Sequence, residues 1–516
     1  MEVVKMDIAH RLKEIEEHVG RLSPVQKILL GTDGSVTQLL ESVTGHPVSV
    51  RTREQEVRKA DPCVAERLNI APGDAVNHRI VELCDATTGE VLVYAKSQTP
   101  VARLAPAFRD DLMKADIPIG RIIESHHIEA RREILSARVS PAQDELSRIF
   151  SICRNEPLLS RQYQIIHGGE PLIFIEEQFP YNRFLDERRV IIRTPSRIHL
   201  TLLDMNGSLG RVDGGIGIAL DDPAILIEAQ ASPSLEVRGC DDATAARIRE
   251  TAGTVLTAIH AGGSVAITVR EQFPAHTGLG GGSQVALATA RACCEIYGKK
   301  MTMAELAQIA GRGGTSGIGT AAFDHGGFII DGGHRFGPGC AKTGFAPSSA
   351  SKGVRPPPVL VRRDFPGDWR ILLATPALPE GANGAREADI FRTRCPVPVE
   401  EVRTLCHEVL MRMLPGIAEQ DLDLFGTSVN TIQDLGFKKV ELSLQPREVT
   451  GLLDTLRAAG AAGAGMTSFG PTLYAVSDTG MRDIERAAQS FMAEETHGGT
   501  TLITAARNQG AVVRTA

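Results

Sequence analysis

The sequence predicts an α+β chain made of two unlike halves that meet near residue 186. Three observations carry this. Before residue 186, short segments such as AVNHRIVELC and EVLVYAKSQTPV alternate apolar and polar residues, as strands of an antiparallel sheet do. Helical pieces lie between them: SVTQLLESVTG, DPCVAERLN and SPAQDELSRIF. After residue 186 a long strand signal, VIIRTPSRIHLTLLDM, opens a run of glycine-rich loops, strands and helices that continues to the end.

The first element is an amphipathic helix within residues 1–22. Ile8, Leu12, Ile15, Val19 and Leu22 recur at spacings of four and three, a narrow apolar seam for docking on the first domain or on a sister chain. The second possibility would make a homodimer. Residues 23–186 form the first domain. Within it, Asp61 before Pro62 and Ser140 before Pro141 read as N-caps with proline in the first helical turn. Residues 187–516 form the second domain. Its Pro-, Ser- and Arg-rich piece from Cys340 to Trp369 reads as a long excursion from the fold.

A chain of 516 residues with a net charge of −7 has no broad basic footprint for nucleic acid. Its positive charge belongs in local sites for acidic substrates. No apolar run is long enough to span a bilayer, and the charged N-terminus does not read as a signal peptide. The nine cysteines are scattered without a CxxC pair, so neither a disulfide framework nor a zinc site is expected. These features predict a cytoplasmic protein with no nucleic-acid or membrane partner.

The most informative stretch is PAHTGLGGGSQVALATARA, Pro274 to Ala292. Glycine has no Cβ, so backbone N–H groups around Gly278, Gly280, Gly281 and Gly282 can come close to an oxyanion. The helix that begins near Ser283 adds unpaired N–H groups and the positive end of its dipole. Gly278, Leu279, Gly280, Gly281, Gly282 and Ser283 are therefore the candidate phosphate-binding residues. Three more stretches matter: PSRIHLTLLDMNGSLGRVDGGIGIAL, GRGGTSGIGTAAFDHGGFIIDGGH and GAGMTSFGPTLYAV. Their order and spacing resemble the GHMP kinase superfamily of small-molecule kinases over about residues 190–510. The resemblance implies a two-lobed α+β domain in which PAHTGLGGGSQ is the central phosphate loop and GAGMTSFGP supports it.

The kinases' loop usually reads Gly-Leu-Gly-Ser-Ser, with hydroxyls that help hold nucleotide phosphates and magnesium. Here Gly281 and Gly282 stand in the serine places, and the first serine is Ser283. With PSRIHLTLLDMNGSLGRVDGGIG, this departure closely resembles a non-kinase branch, the β-ribofuranosylaminobenzene 5′-phosphate synthases of methanopterin biosynthesis. The resemblance implies transfer of ribose 5-phosphate from phosphoribosyl pyrophosphate to a para-substituted benzoate, with loss of pyrophosphate and CO₂. The acceptor is 4-hydroxybenzoate or 4-aminobenzoate. The departing pyrophosphate calls for N–H donors, Mg²⁺ and basic side chains, and a carboxylate can face the oxocarbenium-like sugar.

On this reading Ser196, Arg197 and His199 lie on the opening strand, with Arg197 and His199 on one face by the period of two. Arg197 is expected on a phosphate or on the benzoate carboxylate. Asp213, beside Arg211, would ligate Mg²⁺ or face the sugar cation; forming a turn is its rival role. Asp324 and His325 precede Gly326-Gly327, where a loop would bring polar groups to a cleft. His199, Asp213 and Asp324 are thus the candidate catalytic residues of this half. Arg312 is a further candidate phosphate ligand, and Thr467 and Ser468 are candidate donors to the substrate. Arg386 and Glu387 echo the branch and receive no role.

In the first half, LSPVQKILLGTDGSVTQLLESVTG resembles the opening of chorismate pyruvate-lyase and of the archaeal proteins like it, over about residues 20–185. HRIVEL, IPIGRII and PLIFIEEQFP resemble that family's arginine strand, flap and last core strand. The resemblance implies a substrate arginine at Arg79, a product-pocket residue at Ile119 and a catalytic glutamate at Glu176, with no cofactor. Chorismate carries two carboxylates, so a fixed arginine is needed. A glutamate can manage a proton as the enolpyruvyl oxygen leaves. Glu176 and Glu177 are strand neighbours and point to opposite faces, so only one of them faces a pocket.

The leading expectation is a bifunctional enzyme that makes 4-hydroxybenzoate and pyruvate from chorismate, then C-ribosylates a para-substituted benzoate. One alternative is an ATP-dependent small-molecule kinase with a ligand-sensing first domain. The other is a non-catalytic aromatic-acid binding protein.

Overall fold

A six-stranded antiparallel sheet builds the first half in the computed structural model, which describes residues 7–114, 117–185, 188–275, 277–351, 353–378 and 384–515. Its strands are β1 (Val48–Lys59), β2 (Ala75–Asp85), β3 (Val91–Pro100), β4 (Arg131–Pro141), β5 (Pro157–His167) and β6 (Glu170–Pro180), in the order β1-β2-β3-β6-β5-β4. Helices α1 (Ile8–Val19), α2 (Pro24–Gly31), α3 (Val36–Thr44), α4 (Pro62–Leu68), α5 (Pro106–Met113), α6 (Ile119–Ser125) and α7 (Asp144–Phe150) complete it.

Strands β2 and β3 are buried along both faces for much of their length. The reason is cover on both sides. On β6, Phe174 packs with Val64, Ala65 and Leu68 of α4. Its neighbours Ile173 and Ile175 pack with Phe108 and Leu112 of α5 and Ile122 of α6. Helix α3 starts at a Ser35 cap, and Asp61 caps α4 through the Val64 N–H at 2.9 Å, with Pro62 in the first turn. The second predicted cap fails. Ser140 and Pro141 still pair with Leu158 and Pro157 as strand, and α7 begins only after Gln143.

The seam of α1 is covered by its own domain. Ile15, Val19 and Leu22 are buried, and Arg11 Nε donates to the Ala137 carbonyl of β4 at 2.6 Å. Ile8 and Leu12, at the start of the seam, are only partly buried. Residues 1–6 of the expected helix and the expected boundary at 186–187 lie outside the described residues.

The second half opens with the predicted long strand, β7 (Arg189–Asp204), paired antiparallel with β8 (Arg211–Ser232). The later strands are β9 (Glu236–Arg238), β10 (Ser264–Glu271), β11 (Phe328–Asp331), β12 (His334–Arg335), β13 (Val359–Arg363), β14 (Arg370–Pro376), β15 (Gly463–Met466), β16 (Leu473–Ser477), β17 (Gly499–Ala505) and β18 (Val512–Thr515). An eight-stranded sheet runs β13-β11-β8-β10-β9, with β12 and β7 also on β8 and β18 on β7; a second sheet runs β15-β16-β14-β17. The predicted excursion from Cys340 returns to the fold, since β13 pairs antiparallel with β11.

The helices are α8 (Asp242–Ala258), α9 (Gly281–Tyr297), α10 (Met303–Ile309), α11 (Ile318–Asp324), α12 (Gly384–Arg394), α13 (Val399–Glu408), α14 (Leu414–Glu419), α15 (Leu422–Ile432), α16 (Gly436–Ser443), α17 (Arg447–Ala458) and α18 (Met481–Glu495). Helix α9 is buried nearly all round, and its alanines let α8 and β7 pack closely on it. Among the described residues no helix is long and apolar enough to cross a membrane.

By its contacts the chain divides into two compact units, Met1–Glu187 with two short later segments, and the remainder. Each unit has a site of its own.

Candidate active sites

In the first unit a cavity lies over one face of the sheet. Because side chains alternate along strands, Arg79 of β2, Ser97 of β3, Tyr163 of β5 and Glu177 of β6 all reach it. Ser35 and Thr37 line it at the start of α3, Ile119 and Gly120 at the start of α6, and Arg132 comes from β4. Arg79 is only 1% exposed, and its Nη2 donates to the Ile117 carbonyl at 3.0 Å. Glu177 is gripped from two sides: Arg161 Nε donates at 2.7 Å and the Tyr163 hydroxyl at 3.0 Å. The Arg161 guanidinium also lies 4.7 Å over the Tyr163 ring, and its Nη1 donates to the Thr32 carbonyl at 2.7 Å. Burial holds the Tyr163 hydroxyl well above its ordinary pKa, so it stays a donor.

The structure brings Arg79 and Ile119 to this cavity and corrects the glutamate. Glu176 points to the opposite face, where it accepts from Arg138 Nη2 at 2.8 Å. The register of β6 gives the cavity to Glu177. Arg132, Arg161 and Tyr163 were missed, since no local motif marks them. The arrangement offers two guanidiniums for carboxylates, an apolar lining for a ring and one fixed carboxylate.

The second unit carries an open cleft at the N-terminus of α9. Gly280 is the N-cap residue of that helix at φ 82°, a left-handed conformation that suits glycine. Leu279 anchors the loop in the core, and its carbonyl accepts from the Arg197 N–H at 3.1 Å. Gly278, Gly280, Gly281, Gly282 and Ser283 then line the cleft. Three guanidiniums share it: Arg197 from β7, Arg247 from α8 and Arg312 from the turn after α10. Arg197 donates from Nη1 to the Gly278 carbonyl. Burial lowers the pKa of Arg197 to about 10. It does the same to Arg312, where the charge of Arg247 pushes further in the same direction. Two repelling cations beside a helix N-terminus make a receptor for a multiply charged anion. Ser468, Phe469 and Gly470 of the C-terminal glycine motif and Glu387 of α12 form more of the lining. His276, within the loop, lies outside the described residues.

Thr467 supports the loop from behind instead of reaching the cleft. Its hydroxyl donates to the Gly278 carbonyl at 3.0 Å and accepts from the His199 N–H at 2.9 Å. His199 is buried, and its Nε2 lies 3.2 Å from Ser316 Oγ. Burial first, then the charges of Arg197 and Lys438, hold its pKa far below the usual range, so the ring is neutral. Beneath the glycine motif, Lys438 and Glu441 form a buried ion pair, and Lys438 Nζ donates to the Met466 and Ser468 carbonyls at 3.1 Å each.

Five further candidate residues stand away from the cleft. Asp213 lies buried between His334 Nδ1 at 2.7 Å and Lys342 Nζ at 2.9 Å, so its carboxylate is committed to an internal ion pair. It does not line the cleft. Arg211 caps a turn, donating to the Gly332 and Gly333 carbonyls at 2.9 and 2.6 Å. Asp324 and His325 are exposed at the end of α11 and pair with each other at 3.4 Å. Ser196 is fully buried, and its hydroxyl has no hydrogen-bond partner among the described residues. No group of three or more metal-ligating side chains occurs among the described residues. Arg247 was invisible because it comes from a helix well upstream of the loop. Glu387 was noticed in the sequence without a reason to place it at the cleft.

Three family models match the chain: Chorismate pyruvate-lyase Rv2949c-like over residues 30–185, GHMP kinases N terminal domain over 242–327 and GHMP kinases C terminal over 413–494. The β-ribofuranosylphenol 5′-phosphate synthase of Methanothermobacter thermautotrophicus is 45% identical over 329 residues, 62% of this chain and 98% of that protein. A putative lyase of Methanocaldococcus jannaschii is 36% identical over 159 residues, 30% of this chain and 77% of its own length. The chorismate pyruvate-lyase of Mycobacterium tuberculosis is 24% identical over 173 residues, 33% of this chain and 87% of its own length. The chain thus belongs to the β-ribofuranosylphenol 5′-phosphate synthase family, on a GHMP kinase fold, and carries a chorismate pyruvate-lyase-like domain ahead of it.

Proposed function

We propose that the chain is a bifunctional enzyme of methanopterin biosynthesis. The first unit eliminates pyruvate from chorismate and releases 4-hydroxybenzoate. The second unit joins the ring carbon bearing the carboxylate to the anomeric carbon of phosphoribosyl pyrophosphate, and diphosphate and CO₂ leave. The observation that carries this reading is the cleft at α9, where Gly281, Gly282 and three arginines stand in place of phosphate-binding hydroxyls. Such a lining favours charge that grows on a departing diphosphate over a nucleotide whose terminal phosphoryl must be handed on. The relative's name specifies a phenol product, and the lyase-like cavity would supply a phenolic acid, so 4-hydroxybenzoate is the acceptor we propose.

In the lyase step Arg79 and Arg132 would hold the two carboxylates, while Glu177 faces the ring. In the synthase step the α9 N–H groups with Arg197, Arg247 and Arg312 would hold the diphosphate. With Asp213 committed elsewhere, the cleft does not fit a protein-caged Mg²⁺; in this proposal the ion comes with the substrate's diphosphate, and no step is routed through it.

Incubation with chorismate alone should release pyruvate. Adding phosphoribosyl pyrophosphate with Mg²⁺ should then release one diphosphate and one CO₂ per 4-hydroxybenzoate consumed. Transfer of a terminal phosphoryl from ATP to an alcohol, with no CO₂, would overturn the reading in favour of a kinase.

A further inference from the structure

Glu387 stands in the first turn of α12 and lines the α9 cleft, half-buried. Among the described residues its carboxylate makes no hydrogen bond or ion pair, although three guanidiniums share the cleft. Phe469 lines the same cleft, its ring 7% exposed and backed by Phe437 and Phe391, with ring centroids 6.1 and 6.5 Å away. The cleft therefore has two chemistries. Glycine N–H groups and arginines suit the diphosphate, whereas an aromatic wall with one unpaired carboxylate suits a ring that must lose a proton.

The proposed acceptor is such a ring. Its C1 becomes a strong nucleophile only as the para-hydroxyl gives up its proton. We propose that Glu387 is the proton carrier for this hydroxyl. As C1 bonds to the anomeric carbon, the diphosphate leaves with the C–O electron pair, and the O–H proton passes to the Glu387 carboxylate. The ring is then a dienone that still bears the carboxylate. Breaking the bond from C1 to that carboxylate releases CO₂ and returns its electrons to the ring as a phenolate. Glu387 gives the proton back to the phenolate oxygen, and every atom and charge is accounted for.

The surroundings of Glu387 support this role. Burial, and after it the charge of Glu441 on α16, push its carboxyl up to about 7, so it can take and return a proton near neutrality. Glu441 is itself paired with Lys438, and the other charged groups of the cleft are Arg197, Arg247 and Arg312.

The inference rests on the proposed synthase activity and is tested in the full chain with Glu387→Gln. Turnover of 4-hydroxybenzoate is expected to fall about 10²-fold or more, with KM for phosphoribosyl pyrophosphate within about twofold of the parent. A 4-hydroxybenzoate fluorinated on both sides of the hydroxyl, which ionises at neutral pH unaided, should recover most of the rate. Glu387→Asp, which keeps a carboxylate, should retain more activity than Glu387→Gln on the plain acid. A Glu387→Gln variant that turns over 4-hydroxybenzoate like the parent, or that loses plain and fluorinated acids equally, would overturn the assignment. If the unmodified chain releases no CO₂ from either acid, the synthase reading itself fails.

Discussion

Gly282 lies directly beneath Arg247: a Cβ at this position would run into the guanidinium Nη1. The clash falls on the tip of a flexible side chain, so a serine there moves Arg247 and leaves the helix intact. Gly282→Ser, which restores a kinase-like residue, should cost about 1.5–3 kcal/mol of donor binding, roughly 10- to 150-fold in Kd. Calorimetric titration with phosphoribosyl pyrophosphate measures this, and an unchanged melting temperature shows that the fold is kept. Unaltered donor affinity would remove Arg247 from the site.

The strand neighbours Glu176 and Glu177 should separate cleanly. Glu177→Gln is expected to lower pyruvate release from chorismate by about 10²–10⁴-fold. Glu176→Gln loses only a half-exposed ion pair with Arg138, a contact that contributes about 0–1 kcal/mol. A lactate dehydrogenase-coupled assay reads both variants, and the reverse pattern would restore Glu176.

Asp213 predicts a stability effect without a metal effect. Asp213→Asn leaves the buried Lys342 ammonium unmatched and should destabilise the second unit by about 3–5 kcal/mol. Denaturant unfolding gives the size of the loss. At a temperature where the variant is folded, the Mg²⁺ dependence of donor binding should match the parent's; a selective rise in the Mg²⁺ requirement would make Asp213 a ligand after all.

Asp331 should make stability fall as pH rises. Its carboxylate is fully buried, and burial raises its pKa from 3.8 to about 6, although the Gly333 and Gly317 N–H groups partly oppose the shift. The folded chain therefore holds this proton more tightly than the unfolded chain. Stability is highest below about pH 4 as far as this group is concerned, and on the order of 3 kcal/mol is lost by the time pH has passed 6. Asp331→Asn should be relatively more stable at pH 8 than at pH 5 when each is compared with the parent by denaturant unfolding. An identical difference at both pH values would show that Asp331 does not titrate in this range.

The sequence revealed what is local and concealed what is assembled. Glycines ahead of an Ala-rich helix announce an anion site, because loop and helix N-terminus are contiguous. Arg79 and Ile119 were legible for a similar reason, each sitting in a short recognisable segment. The choice between Glu176 and Glu177 needs the register of β6 against β5 and β3, which neighbouring residues do not set. Asp213 looked catalytic because its glycine-rich setting suggested a site loop. Its real partners, His334 and Lys342, come from segments far along the chain. Arg247 stayed hidden, and Glu387 stayed without a role, for the same reason, since the fold carries each to the cleft from a separate helix.

Thr467 touches Gly278 on one side and His199 on the other, so the donor cleft is braced by its last-made part. On the ribosome the stretch matched by the lyase-like model, residues 30–185, emerges long before Thr467, and the phosphate loop must wait for that brace. The donor cleft is thus among the last parts of the chain that vectorial synthesis can close.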